Sequence, residues 1–178
     1  MSSEEKKGKD KELEVTSTLS RLAINNPNSD LIRPSTTNTA DGGADVILEH
    51  TRNNLDEMLN IAKGTIDDFS SPQNDNTPKI RTRIDVKAYE NRKIPKNIAE
   101  KFIGDIKLNP DCNAHLLMGG DGLTKGAQEV IDNAKTQLPE EKIIEVIDNE
   151  GIKCLTTLAF SKINQRLNLT KRKIKRKK

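Results

Sequence analysis

Tryptophan is missing from this chain, and Phe69, Tyr89, Phe102 and Phe160 are its only aromatic side chains. Proteins that grip single strands by stacking successive bases need more aromatic surface than that, so any contact with nucleic acid has to run through its sugar–phosphate backbone. Cysteine is equally scarce. Cys112 and Cys154 lie far apart with no CxxC spacing, and they read as two ordinary thiols rather than a zinc or disulfide site. His50 and His115 are too few and too isolated for a His-based metal centre. No apolar run is long enough to cross a bilayer or to form a signal-peptide core, so the sequence reads as a soluble, intracellular protein with no membrane partner. Only 33% of the residues are hydrophobic, which leaves Ile, Leu and Val to build one core in a chain of 178 residues.

What the chain has in quantity is charge. The net charge is only +3, yet 171–178 reads KRKIKRKK, seven basic residues in eight. Such a block binds phosphate non-specifically, acts as a nuclear import signal, or is a solvated disordered tail. The organisation read from the sequence is a disordered N-terminus over 1–9, one domain over 10–165 and a disordered basic tail over 166–178.

Within that domain, Leu13, Leu19, Leu22 and Ala23 predict a helix over 10–25, and the Asn-, Ser-, Thr- and Pro-rich stretch 25–40 reads as a loop. Gly42-Gly43 opens the first expected strand, 44–50, with Val46, Ile47 and Leu48 together. A helix over 52–63 carrying Leu55, Met58, Leu59 and Ala62, with the breaker-rich 70–78, reads as an insertion (52–78) carried as a surface loop. In 79–89, Ile80, Thr82, Ile84, Val86 and Ala88 alternate with Arg81, Arg83, Asp85 and Lys87, a period-two strand with the last four on one face. Pro95 then opens a helix at N1, with Ile98, Ala99, Phe102, Ile103 and Ile106 as its stripe. A strand over 112–119, a helix over 124–134, a strand over 142–147 and a last helix with Ile152, Leu155, Leu158 and Ile163 complete the chain. Strands alternating with helices predict an α/β fold, a mixed sheet covered on both faces with right-handed crossovers between parallel neighbours.

The alternating strand carries the chemistry. Asp85 and Lys87 project to one face about 6–7 Å apart along it, so that a carboxylate able to bind a hard divalent cation stands beside an ammonium able to hold a water near a phosphate. The plain alternative is an exposed ion pair. Asp45 tips the balance, as a second carboxylate directly after a Gly-Gly turn. If its strand neighbours that of Asp85, the two share one metal, and their mutual repulsion makes a cation welcome. Arg81 and Arg83, with Arg92, Lys93 and Lys96, are placed to track a phosphate backbone or else form a solubilising surface. Glu49 and Glu90 follow the two motifs and read as plain surface or as auxiliary ligands. Gly119-Gly120-Asp121-Gly122 lacks the GK[ST] of a Walker loop, with Lys125 off the spacing, which argues against ATP.

Taken in order, GGADVILE (42–49), RIDVKAYE (83–90), IPKNIAEKFIGDI (94–106), AHLLMGGDGLTKGAQEVI (114–131) and IIEVIDNEGIKCL (143–155) resemble the Mrr-type restriction endonuclease domain of the PD-(D/E)XK nuclease superfamily, over about 41–158. The resemblance implies a restriction-endonuclease-like fold in which Asp45 and Asp85 bind Mg²⁺ or Mn²⁺ and Lys87 completes the catalytic set. Leu123, Thr124 and Ala127 match the family's Phe/Leu-Thr-x-x-Ala helix start, and Ile147, Asp148 and Asn149 its closing turn. Two features depart from the pattern. Residues 52–78 stand where the family has a short hairpin, and Glu12 and Glu14 lack the Phe of a Phe-Glu pair, so neither is assigned a role. The implied function is a metal-dependent endonuclease acting on DNA, type IV restriction-like, for which a homodimer is one way to cut both strands. The alternatives are a catalytically silent DNA-binding module of the same fold and a structural protein in which the motifs are coincidental.

Overall fold

The computed structural model of the chain describes residues 3–26, 29–32, 45–70 and 77–175. Its elements, in order, are α1 (Ser3–Asn25), β1 (Ser29–Ile32), β2 (Val46–His50), α2 (Arg52–Ala62), β3 (Ile80–Lys87), α3 (Lys96–Ile106), β4 (Ala114–Gly119), α4 (Lys125–Gln137), β5 (Ile143–Ile147) and α5 (Asn149–Lys175). The five strands form one sheet in sequence order. β1 and β2, and β2 and β3, pair antiparallel; β3, β4 and β5 run parallel. The architecture is therefore α/β with a mixed sheet, and Asp85 and Lys87 lie on its central strand.

Alternation along β3 sorts the two faces. Ile84 and Val86 point into a core shared with Val46, Leu48, Leu116 and Met118, and this is covered by Leu19 of α1, Leu55 of α2 and Leu155 of α5. The opposite face carries Leu117 and Ile144 beneath Phe102 of α3 and Ile131 of α4. Because both faces are covered, the residues that alternate with Ile84 and Val86 are also removed from water: Arg83 is 0% exposed and Asp85 2%. Local chemistry starts the helices. Thr51 accepts a hydrogen bond from the Asn54 amide, and Thr124 from that of Ala127, each at 3.3 Å.

Four expectations are corrected. The strand expected over 44–50 is not the first, because β1 lies within the stretch read as a loop; β1 pairs with β2 on the sheet edge, and its buried Ser29 donates to Asn54 of α2. Residues 52–78 are not merely a tolerated surface loop, since Leu55, Met58, Leu59 and Ile61 of α2 are core residues that pack with α5. The termini differ too: α1 already begins at Ser3, and α5 continues through the basic stretch to Lys175. Glu, Lys and Arg are good helix formers and no proline interrupts either segment. Pro95, expected at N1, is instead the N-cap of α3, in an extended conformation, and Lys96 is the first helical residue. Residues 1–2, residues 27–28, residues 33–44 with the expected Gly42-Gly43 turn, residues 71–76 and residues 176–178 lie outside the described residues. Among the described residues no helix is long and apolar enough to cross a membrane.

Candidate metal and phosphate site

The register brings the predicted residues together. Val46 faces Ile84 across the β2–β3 ladder, so Asp45, one step before β2, stands beside Asp85. The Asp45 amide donates to the Ile84 carbonyl at 2.9 Å, and the Val86 amide donates to Asp45 Oδ2 at 2.6 Å. Backbone geometry thus holds the first carboxylate against the strand that carries the second. Lys87 Nζ donates to Asp85 Oδ1 at 2.5 Å. These three side chains form one cluster at the C-terminal end of β3.

Two negative charges in a half-dry place repel each other, and Asp45 registers this. Burial first, and then the charge of Asp85, push its carboxyl up to about 7, against the opposing pull of the Val86 amide and Lys87. Glu12 also raises it, so the charge of this α1 residue reaches the cluster. Glu14, by contrast, pairs with Lys11 at 3.0 Å. Sequence spacing alone did not separate the two glutamates; their different partners do.

Asp85 is compensated from a second side. Arg83 Nη2 lies 3.5 Å from Asp85 Oδ2 and 3.6 Å from Asp105 Oδ2 on α3. Its guanidinium also donates to the Phe102 carbonyl at 3.4 Å and sits 5.1 Å from the centre of that ring. This corrects the expectation that Arg83 tracks a phosphate backbone: a side chain with no exposure cannot reach one. Arg81 pairs with Glu49 at 3.4 Å, which makes that pair cross-strand surface chemistry, and Lys96 pairs with Glu100 at 3.5 Å. Arg92 stacks over Tyr89, 4.6 Å from the ring centre.

The glycine turn after β4 belongs to the same scaffold. Gly119 is paired with Lys87 in the parallel register, and a Cβ there would lie 2.0 Å from the Lys87 carbonyl oxygen, with φ at +123°. Gly120 and Asp121 are tied to neighbouring loops: the Asp121 amide donates to Arg92, the Asn149 amide donates to Gly120, and the Asn149 side chain donates to the Tyr89 carbonyl and to Asp121. The turn therefore positions the chain that follows Lys87. Among residues missed in the sequence, Asp105 and Gly119 stand out. Asp105 was hidden as a polar residue beside an apolar stripe, and Gly119 was visible only as a turn.

The histidines and cysteines take no part in the cluster. His50 lies against the Thr51 carbonyl at 2.9 Å and the Thr82 hydroxyl at 2.7 Å, and His115 is fully buried, pushed down to about 4 by burial and by Arg83 and Lys142. Cys112 and Cys154 are free thiols. Among the described residues, no group of three His, Cys, Asp or Glu side chains is assembled as a metal cage. The donor set suits a hard cation nevertheless: it is all oxygen, and Asp45 lies where a positive charge would relieve its repulsion with Asp85. Compared with protein-family models, curated proteins and solved structures, the chain matches none.

Proposed function

We propose that the chain is a metal-dependent endonuclease that hydrolyses DNA phosphodiesters, with Asp45 and Asp85 as the ligands of Mg²⁺ or Mn²⁺ and Lys87 as the third catalytic group. The observation that carries this reading is the meeting of Asp45, Asp85 and Lys87 across adjacent strands, for which the burial of the Asp45 carboxylate beside that of Asp85 gives a physical reason to take up a cation. The resemblance to Mrr-type domains and the mixed α/β sheet are in keeping with a restriction-endonuclease-like fold.

In this reading Asp45, fixed by the Val86 amide, and Asp85, fixed by Arg83, present preoriented oxygens. When bound, the divalent ion supplies Lewis acidity toward a phosphate oxygen and lowers the pKa of a coordinated water. Lys87 is held beside Asp85 with 22% of its side chain exposed, where its ammonium orients water and offsets charge on the phosphate oxygens. Glu12 adds negative charge to the cluster from α1. DNA is the substrate, and a homodimer is the form that would cut both strands.

One observation favours the second reading, a catalytically silent DNA-binding module. Asp85 is already neutralised by Lys87 and Arg83, so a cation has to displace the lysine from Oδ1. Incubation of plasmid, linear, single-stranded and branched DNA in Mg²⁺ and Mn²⁺, with Asp85→Ala as control, separates the two. Nicking that the substitution abolishes supports the nuclease. DNA binding with no cleavage and no calorimetric Mg²⁺ site supports the silent module, and cleavage that survives Asp85→Ala sinks the catalytic assignment.

A further inference from the structure

Immediately beyond Lys87 the chain borders a cavity of about 450 Å³, lined by Lys7, Ala88, Glu90, Asn91 and Arg92. Its position is informative. In sheets of this kind, ligands bind outside the carboxyl ends of parallel strands, and Ala88 follows the last residue of β3. Its volume falls in the range that small-molecule sites occupy.

Among the described residues, the walls carry two cations against one anion. Arg92 is stacked on Tyr89, which holds its planar fork in one orientation, and a preoriented guanidinium is the group best matched to a phosphate. Lys7 reaches the cavity from α1, the helix whose Glu12 bears on Asp45. One helix therefore borders both the carboxylate cluster and the cavity, two features joined by β3. The loop between them is pinned by Asn149 and Asp121, and Asn91 holds a left-handed backbone with φ of 54°, a conformation that costs energy in a non-glycine residue.

We propose that this cavity is a backbone subsite that holds the phosphodiester next to the one at Asp45, Asp85 and Lys87, with Arg92 and Lys7 as its phosphate-binding groups. It rests on the phosphodiesterase reading for its neighbour but not for its own binding. Glu90 sets the strength of the subsite, since its charge opposes the phosphate.

The test is fluorescence anisotropy of a fluorescein-labelled DNA duplex in EDTA, which removes cleavage, across a salt series. The proteins are the full-length wild type, Arg92→Ala, Lys7→Ala, Glu90→Gln and, as a control on an exposed face of α3, Lys101→Ala, each checked for an unchanged melting temperature. Arg92→Ala and Lys7→Ala are each expected to weaken binding by about 5- to 30-fold at low salt and to lower the slope of log K against log salt by about one. Loss of a mere packing contact would not change that slope. Glu90→Gln should tighten binding and Lys101→Ala leave it unchanged. Wild-type affinity and slope in Arg92→Ala, or weaker binding in Glu90→Gln, would overturn the subsite. Steady-state cleavage in Mg²⁺ separates the two proposals. If the wild type binds with these signatures yet never cuts, the hydrolytic reading fails and the subsite stands. If it cuts and Arg92→Ala leaves KM unchanged, the subsite fails and the hydrolytic reading stands.

Discussion

Arg83 and Asp85 stand two residues apart on one face of β3, the first fully buried and the second nearly so, with the guanidinium Nη2 3.5 Å from the carboxylate Oδ2. The same guanidinium nitrogen lies 3.6 Å from Asp105 of α3, so one buried cation serves two carboxylates from two elements. A buried ion pair contributes little compared with a well-packed apolar replacement, but removal of one partner leaves the other charge stranded.

Arg83→Met is therefore expected to lose about 3–5 kcal/mol of stability, read as a lower urea midpoint. Asp105→Asn leaves Arg83 its Asp85 partner and should cost less. Equal losses from the two substitutions, or none from Arg83→Met, would show that the guanidinium does not bridge the carboxylates. Cleavage should fall in Arg83→Met even where the protein stays folded, because Asp85 loses the group that orients it.

Asp45 makes a pH-dependent prediction. Its carboxyl titrates near 7 in the folded chain against an ordinary value of 3.8, so the folded state favours the protonated form. The contribution of this group to stability is complete below pH 3.8 and is lost as pH rises through 7. Asp45→Asn should therefore melt above the wild type at pH 8 in EDTA by roughly 2–4 °C, corresponding to about 1 kcal/mol, and the gap should close by pH 4. Mg²⁺ should raise the wild-type melting temperature at pH 8 and leave Asp45→Asn unmoved. A gap that is the same at both pH values would show that burial and the charge of Asp85 do not hold the Asp45 carboxyl above its ordinary range.

Much of this site was legible because it was written in short-range patterns. Period-two alternation placed Asp85 and Lys87 on one face of β3, and the Gly-Gly turn drew attention to Asp45. What spacing could not supply was the strand order. Without it, Arg83 looked like a surface cation, whereas β3 is the central strand and both its faces are covered. Leu55, Met58 and Leu59 gave α2 a stripe, yet nothing local said that the stripe meets α5. β1 was hidden for a different reason: Ser29 and Asp30 are poor strand formers, and the strand exists because β2 offers an edge and Asn54 a partner for the serine. Glu12 and Glu14 differ only by their contacts in space.

His115 supplies the opposite sign. It is fully buried in β4 and held neutral, its titration pushed down to about 4 from an ordinary 6.5 by burial and by the charges of Arg83 and Lys142. Its contribution is present above pH 6.5 and lost as pH falls through about 4. The wild type should lose about 2–3 kcal/mol over that window through this residue, and His115→Leu should flatten that part of the acid-unfolding curve. An unchanged curve in His115→Leu would place the acid sensitivity elsewhere.

The last prediction contrasts two glycines. At Gly119 a Cβ would lie 2.0 Å from the Lys87 carbonyl oxygen, and the backbone has φ of +123°. Gly119→Ala must therefore push β4 away from β3 where the two strands pair, at a cost of at least about 2–3 kcal/mol from strain and lost pairing, and it must move Lys87. Gly104 lies within α3 with nothing within 4 Å of an added Cβ, so Gly104→Ala should stabilise by about 0.5–1 kcal/mol by favouring the helix. Chemical denaturation of both variants checks the signs, and cleavage by Gly119→Ala checks the consequence. If Gly119→Ala is as stable and as active as the wild type, close approach of the two strands is not what positions the lysine.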